Sequence, residues 1–286
     1  MRYLLLLLLP FVTALAQDEE KPAATPATLP GAETFTFRDA SPEPVRLHVF
    51  KSKGWKADDR RPAFIWFFGG GFVRGTPLQS ASWAKRAAQL GMVGVAADYR
   101  TVERWPATNA TEAVADARAA LRWVQDHASE LGVDPERVVV GGGSAGGHLA
   151  LWTAITKTPP GLDDAEAPKF KPVALLLNCP AADTSKASGM RGARFKSIDP
   201  DAFSPLQNLD ARMPPVLLIH GDADTTVPYA HAVALSKALI AAGNICEFVT
   251  VPGGTHKFSS DPEWKTKVPA LQKAFLEKHG VLPVTP

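Results

Sequence analysis

Two cysteines, Cys179 and Cys246, three tyrosines and four methionines are all that the 286 residues hold of these types, and charge of either sign is hardly in excess. Lysine and arginine number 31 against 29 aspartates and glutamates. Each scarcity excludes something. Two distant cysteines make no CxxC pair and no Cys/His cluster, so no metal site is implied, and the motifs that follow call for no cofactor. The near balance of charge argues against a nucleic-acid or other polyanion partner, which a basic excess would announce. No apolar run reaches the roughly 20 residues that a bilayer span requires. The nearest, Tyr3 to Leu9, follows Arg2 and precedes Ala14-Leu15-Ala16. That is the pattern of a secretory signal cleaved before Gln17, so an exported protein, periplasmic or extracellular, with no integral membrane segment after cleavage is expected. Residues 17–32 carry Asp, Glu, Lys, Pro, Ala and Thr with almost nothing apolar to bury, and are expected to form a flexible leader. One domain over 33–286 remains, without internal repeats.

What is present begins with alternation. Thr34 to Phe37 and Val45 to Phe50 alternate apolar and polar residues around the turn signal Ala40-Ser41-Pro42, which predicts an antiparallel edge pair. Continuous apolar runs follow: Ala63 to Phe68, Met92 to Ala97, Val138 to Val140, Val173 to Leu177, Val216 to Ile219 and Cys246 to Val251. Such runs belong to strands covered on both faces. Helical patterns lie between them, at about 78–90, 111–131, 144–156, 230–242 and 263–279. The fold class is therefore α/β, a mostly parallel doubly wound sheet with the antiparallel pair at its N-terminal edge, and chemistry is expected at the carboxyl ends of the strands. Ala181 to Met213 is too long for an ordinary connection and reads as a short lid or pocket wall. The two cysteines fall on strands with one strand between them, about 9 to 10 Å apart. A disulfide needs Cα atoms within about 7 Å, so two buried thiols are expected.

Gly142-Gly143-Ser144-Ala145-Gly146 stands directly between the run ending at Val140 and a helix-favouring run from His148. A serine in G-x-S-x-G spacing at a strand-to-helix turn is a nucleophile elbow. Two further pieces follow later strands: His220-Gly221-Asp222-Ala223-Asp224 and Gly253-Gly254-Thr255-His256. Serine hydroxyl is a poor nucleophile unaided; an imidazole must take its proton, and a carboxylate must orient that imidazole. Ser144 is the expected nucleophile, His256 the base and acid, and Asp224 the orienter on motif spacing, while Asp222 suits the turn itself. His148 and His220 adjoin the motifs and read as structural histidines. Gly69-Gly70-Gly71-Phe72, after the run ending at Phe68, places backbone N–H groups where an oxyanion could develop, with the N–H of Ala145 beside them. The glycines lack the Lys-Ser/Thr that a phosphate cradle requires.

These segments, FFGGGF at 67–72, ADYR at 97–100, GGGSAGGHLA at 141–150, HGDADTTVP at 220–228 and GGTHKF at 253–258, resemble the α/β-hydrolase superfamily and within it the acetyl esterase/lipase group related to hormone-sensitive lipase and to small bacterial feruloyl and acetylxylan esterases. The resemblance implies oxyanion donors at Gly70, Gly71 and Ala145, and a structural cluster of Asp98, Tyr99 and Arg100, with Asp116 pairing Arg100. One departure is visible: Phe68 stands where the family often has histidine. Little room is left for the helical cap of the hormone-sensitive-lipase type, so a more open pocket and shorter acyl groups are expected. Phe72, Arg74, Trp83 and the 181–213 segment are expected to shape the pocket. The function implied is a secreted carboxylic-ester hydrolase acting on short-acyl or aromatic esters, of small molecules or glycans. A serine peptidase of the same fold, or a binding protein on a hydrolase scaffold, are the alternatives.

Overall fold

The computed structural model describes residues 25–163, 165, 167–188, 193–195 and 198–284. The signal and residues 17–24 of the leader expected from the sequence lie outside these residues. Among the described residues eight strands form one sheet: β1 (Glu33–Arg38), β2 (Val45–Phe50), β3 (Arg61–Phe67), β4 (Val93–Ala97), β5 (Val133–Gly143), β6 (Ala174–Asn178), β7 (Val216–Gly221) and β8 (Cys246–Val251). Their order is β1-β2-β4-β3-β5-β6-β7-β8. The alternating pair β1 and β2 is antiparallel, β2 runs antiparallel to β4, and every later pairing is parallel.

The helices are α1 (Ala81–Gln89), α2 (Ala110–Asp126), α3 (Ala128–Leu131), α4 (Ala145–Ala154), α5 (Pro200–Phe203), α6 (Tyr229–Ala241) and α7 (Trp264–Lys278). They divide between the two faces because neighbouring side chains on a strand point opposite ways. Ile65, Phe67, Val140, Leu175, Leu177 and Leu218 face a core shared with α2, α4 and α6, and Phe64, Trp66, Val139, Leu176 and Leu217 face a second core built with α1 and α7. Continuous apolar strands follow from this, since β4, β6 and β7 are buried at every position.

The stretch expected as one helix over 111–131 is two. Asn109 caps α2 by accepting the N–H of Thr111 at 2.7 Å, and Glu112 returns to the N–H of Asn109 at 2.8 Å. At the other end the His127 ring stacks on Trp123 and its Nδ1 lies 2.9 Å from the Trp123 carbonyl, which it must meet as a donor. The backbone leaves helical geometry there, and α3 then stops at Gly132 with φ 63°. Cys179 follows β6 and Cys246 opens β8 with β7 between them, and both thiols are free. Cys246 is half-buried, as are the residues after it to Thr250, because β8 is the outermost strand of the sheet. Among the described residues no helix is long and apolar enough to cross a membrane.

Candidate active site

β5 ends at Gly143 and α4 starts at Ala145, which leaves Ser144 alone at the junction with φ 56° and ψ −120°. An L-residue in such a conformation costs about 1–3 kcal/mol and must be held by its surroundings. Here the Ser144 N–H donates to the Asn178 carbonyl at 3.0 Å, and the Ser144 carbonyl accepts from Gly147, His148 and Ala181 at 3.1, 3.2 and 3.0 Å. The flanking glycines are steric requirements. A Cβ on Gly142 would lie 2.3 Å from the Gly146 backbone, and one on Gly146 would lie 2.2 Å from the Phe67 carbonyl oxygen. The ends of β3 and β5 and the start of α4 thus press together around the serine, which lines a cleft of about 480 Å³. Ala145 is the first residue of α4, so its N–H has no partner within the helix.

Asp222 and Asp224 leave β7 for different tasks. Asp222 Oδ1 accepts the Gly253 N–H at 2.6 Å and ties the loop after β7 to the loop after β8. The fully buried Asp224 carboxylate accepts the N–H groups of Thr226 and Val227 on Oδ1 at 2.8 and 2.9 Å, and its Oδ2 lies 2.7 Å from His256 Nδ1. Nδ1 therefore carries the proton and the other ring nitrogen of His256 keeps its lone pair. The His256 ring, 21% exposed, opens on the same cleft as Ser144. His220 brings a further donor: its Nε2, 3.0 Å from the Val227 carbonyl, must be protonated, and it also lies 3.1 Å from Asp224 Oδ2. Burial pushes the His220 pKa down, in keeping with that neutral tautomer. His148 donates Nδ1–H to the Ala181 carbonyl at 3.0 Å, and burial lowers its pKa to about 3.

Cys179, unremarked as part of the site in the sequence, follows Asn178 with φ 38° and directs its thiol at the His256 carbonyl, 3.5 Å away. Burial and the Asp224 charge raise its pKa far above the usual thiol range. Cys179, Asp224 and His256 are the one trio of potential metal ligands among the described residues. Its thiol holds its proton, and Asp224 and His256 are engaged with each other.

The loop after β3 is built to turn at once. Gly70 has φ 140°, a Cβ there would lie 1.8 Å from the Arg74 carbonyl oxygen, and the Gly70 carbonyl accepts from Val73 and Arg74 at 3.1 and 3.2 Å. Gly71 follows with φ 64°. The anchor that the resemblance left without its histidine is aromatic. Phe68 stacks on Tyr99 at 4.1 Å, and the Tyr99 hydroxyl donates to the Phe68 carbonyl at 2.9 Å. Beside Tyr99, Asp98 takes a two-pronged bond from Arg104 at 2.7 and 2.8 Å, and burial raises the Asp98 pKa to about 6. Arg100 grips the fully buried Asp116 through two 2.8 Å bonds, and Arg38 reaches the same carboxylate at 2.7 Å. Arg100→Ala would leave the buried Asp116 carboxylate to Arg38 and to the backbone N–H of residue 100, with the two guanidinium bonds of Arg100 lost, so stability should fall by about 1–3 kcal/mol, read from the urea midpoint. An unchanged midpoint would sink that account.

Three expectations about the pocket need correcting, and the first is Arg74, which does not line the cleft. Phe72, at φ 65°, is buried outside the cleft, its ring edge-on to His148 at 5.2 Å and to Phe195 at 5.8 Å. The positive φ after two glycines turns it inward. The described part of 181–213 packs on α4, with Trp152 Nε1 donating to the Phe203 carbonyl at 3.0 Å, and none of its described residues lines the cleft. Trp83 does line it, stacked on Trp66 at 4.3 Å, together with Asn178, Arg86, Lys257 and Lys265, whose place at the cleft no sequence pattern marks.

The sequence profile of the alpha/beta hydrolase fold matches residues 64–260. Esterase LipQ of Mycobacterium tuberculosis is 28% identical over 232 residues, 71% of this chain and 53% of its own length. Carboxylesterase NlhH of the same species is 29% identical over 71% of this chain and 65% of its own. The chain spans about half the length of the first curated relatives it matches, LipQ and LipC, at 53% of each. Among solved structures, Thermogutta terrifontis esterase 2 phosphoramylated by tabun is 36% identical with a TM-score of 0.83, covering 91% of this chain and 99% of that one. The same esterase with propionate bound is 36% identical with a TM-score of 0.81 over 90% and 97%. Sheet order, elbow and profile agree, and the chain belongs to the alpha/beta hydrolase fold family.

Proposed function

We propose that this protein is an exported serine carboxylic-ester hydrolase that works through an acyl-enzyme on short-acyl or aromatic esters, including those of glycans. The observation that carries the reading is the 2.7 Å contact between His256 Nδ1 and Asp224 Oδ2 at a cleft that Ser144 shares. His256 takes the Ser144 proton as Oγ attacks the ester carbonyl. The N–H groups of Gly70, Gly71 and Ala145 receive the oxyanion, each donor contributing about 2.7–4 kcal/mol of transition-state stabilisation. His256 then protonates the leaving alcohol, and water repeats the sequence to free the acid. Short acyl groups are supported by Thermogutta terrifontis esterase 2, whose solved structures include propionate-bound and butyrate-bound forms.

Initial rates on p-nitrophenyl acetate, butyrate and octanoate test this, beside labelling with a fluorophosphonate probe. Rates should fall several-fold or more from butyrate to octanoate, with one probe per chain on the peptide that contains Ser144. A folded protein that takes no label, or takes it elsewhere, would remove the serine-esterase reading.

A further inference from the structure

The cleft beside Ser144 is lined by Arg86, Lys257 and Lys265 and by no aspartate or glutamate. Among the described residues none of the three cations has a carboxylate partner, although lysines close by do: Lys267, two positions after Lys265, pairs with Glu263. The chain as a whole is nearly neutral, so this one-signed wall is local. Lys257 directly follows His256, the group that protonates the leaving oxygen, and Lys265 lines the same cleft. Arg86 comes from α1, with its guanidinium 5.6 Å from the ring of Trp83, which is half-buried and stacked on Trp66. Gln79, Ser82, Ser259 and Ser260 fill the rim with hydroxyl and amide groups.

We infer that the cleft selects esters whose alcohol half carries an anionic group, a carboxylate or a sulfate, on a ring that lies along Trp83. Unpaired cations in a walled cleft concentrate anions at the reacting serine. The apolar side chains of Trp66, Phe68 and Trp83 give a sugar or arene ring a wall to pack against, and the polar rim accommodates its hydroxyls. The inference rests on the serine-esterase reading and adds a substrate class to it.

The test compares three acetate esters of equal acyl group: 4-acetoxybenzoate, 4-acetoxybenzenesulfonate and the neutral 4-acetoxybenzamide. At low salt kcat/KM for at least one anionic ester should exceed that for the amide by about tenfold, the lower end of what a one-signed cleft supplies. The ratio of the two anionic esters tells carboxylate from sulfate. The preference should fall toward unity at about 1 M salt, where the screening length is about 3 Å. It should fall likewise in an Arg86→Gln/Lys265→Gln double variant, and the ratio between substrates is immune to a general loss of active protein. A wild-type ratio at or below one, with the amide turned over through Ser144, overturns the anion inference alone. A preference that persists in the double variant also overturns it. Failure to hydrolyse any of the three through Ser144 overturns it together with the esterase reading.

Discussion

Ser144→Ala should cut kcat on p-nitrophenyl acetate by about 10⁵-fold or more, the order expected when a nucleophile that acts in concert with its base is removed. The loss should come without unfolding. Alanine keeps the Cβ, and every bond that fixes this residue is made by its backbone: to Asn178 through N–H, and from Gly147, His148 and Ala181 to its carbonyl. The melting temperature should therefore stay close to that of the parent. Ser144→Gly separates the two roles further. At φ 56° glycine is unstrained, so this variant should be equally inactive yet more stable by about 1 kcal/mol, seen as a rise of a few degrees in Tm. Activity retained in Ser144→Ala would mean that the elbow is scaffold and that another group attacks.

The part of this architecture legible in the sequence is the part written in short-range pattern. Val45–Phe50 and Cys246–Val251 are delimited to the residue: Pro44 and Lys51 bracket the first, and Pro252-Gly253 closes the second. The order Ser144, Asp224, His256 placed these side chains after three different strands, and the structure puts them at the carboxyl ends of β5, β7 and β8. β5 is longer than its apolar run. It includes Asp134 to Arg137, where backbone pairing of Val133 with Arg61 extends the strand across a register shift that hydropathy does not register. Phe72 misleads because an aromatic beside a glycine loop suggests a pocket wall, whereas a positive φ points it inward. The cations of the cleft, on α1 and beyond β8, meet only when the sheet is assembled. Such three-dimensional neighbours leave no periodicity behind. The 2.9 Å bond from Tyr99 to the Phe68 carbonyl is of the same kind: ADYR and FFGGGF are separate motifs in sequence and one mechanical unit in the fold.

Asp224→Asn should lower kcat by about 10⁴-fold, the order seen when the orienting acid of such a triad becomes an amide and the histidine is left in the wrong tautomer. The surroundings fix which way the asparagine turns. Thr226 and Val227 present two N–H donors, so the amide oxygen must face them, and the amide nitrogen falls where Oδ2 was. There it presents hydrogens to two imidazoles. His256 Nδ1 can accept only by moving its proton to the nitrogen that should receive one from Ser144. His220 Nε2, held protonated by the Val227 carbonyl, cannot accept at all. A donor would then face a donor in a buried place, at a cost of about 1–3 kcal/mol in stability. Asp222→Asn is the control. Its Oδ1 accepts a single N–H from Gly253, a bond that an asparagine oxygen reproduces, so its activity should stay within about tenfold of the parent. If the two variants lost activity equally, the choice of Asp224 over Asp222 would fail. If Asp224→Asn lost stability but kept its rate, Asp224 would be a brace for the β7 and β8 loops and His256 would act without an orienting acid.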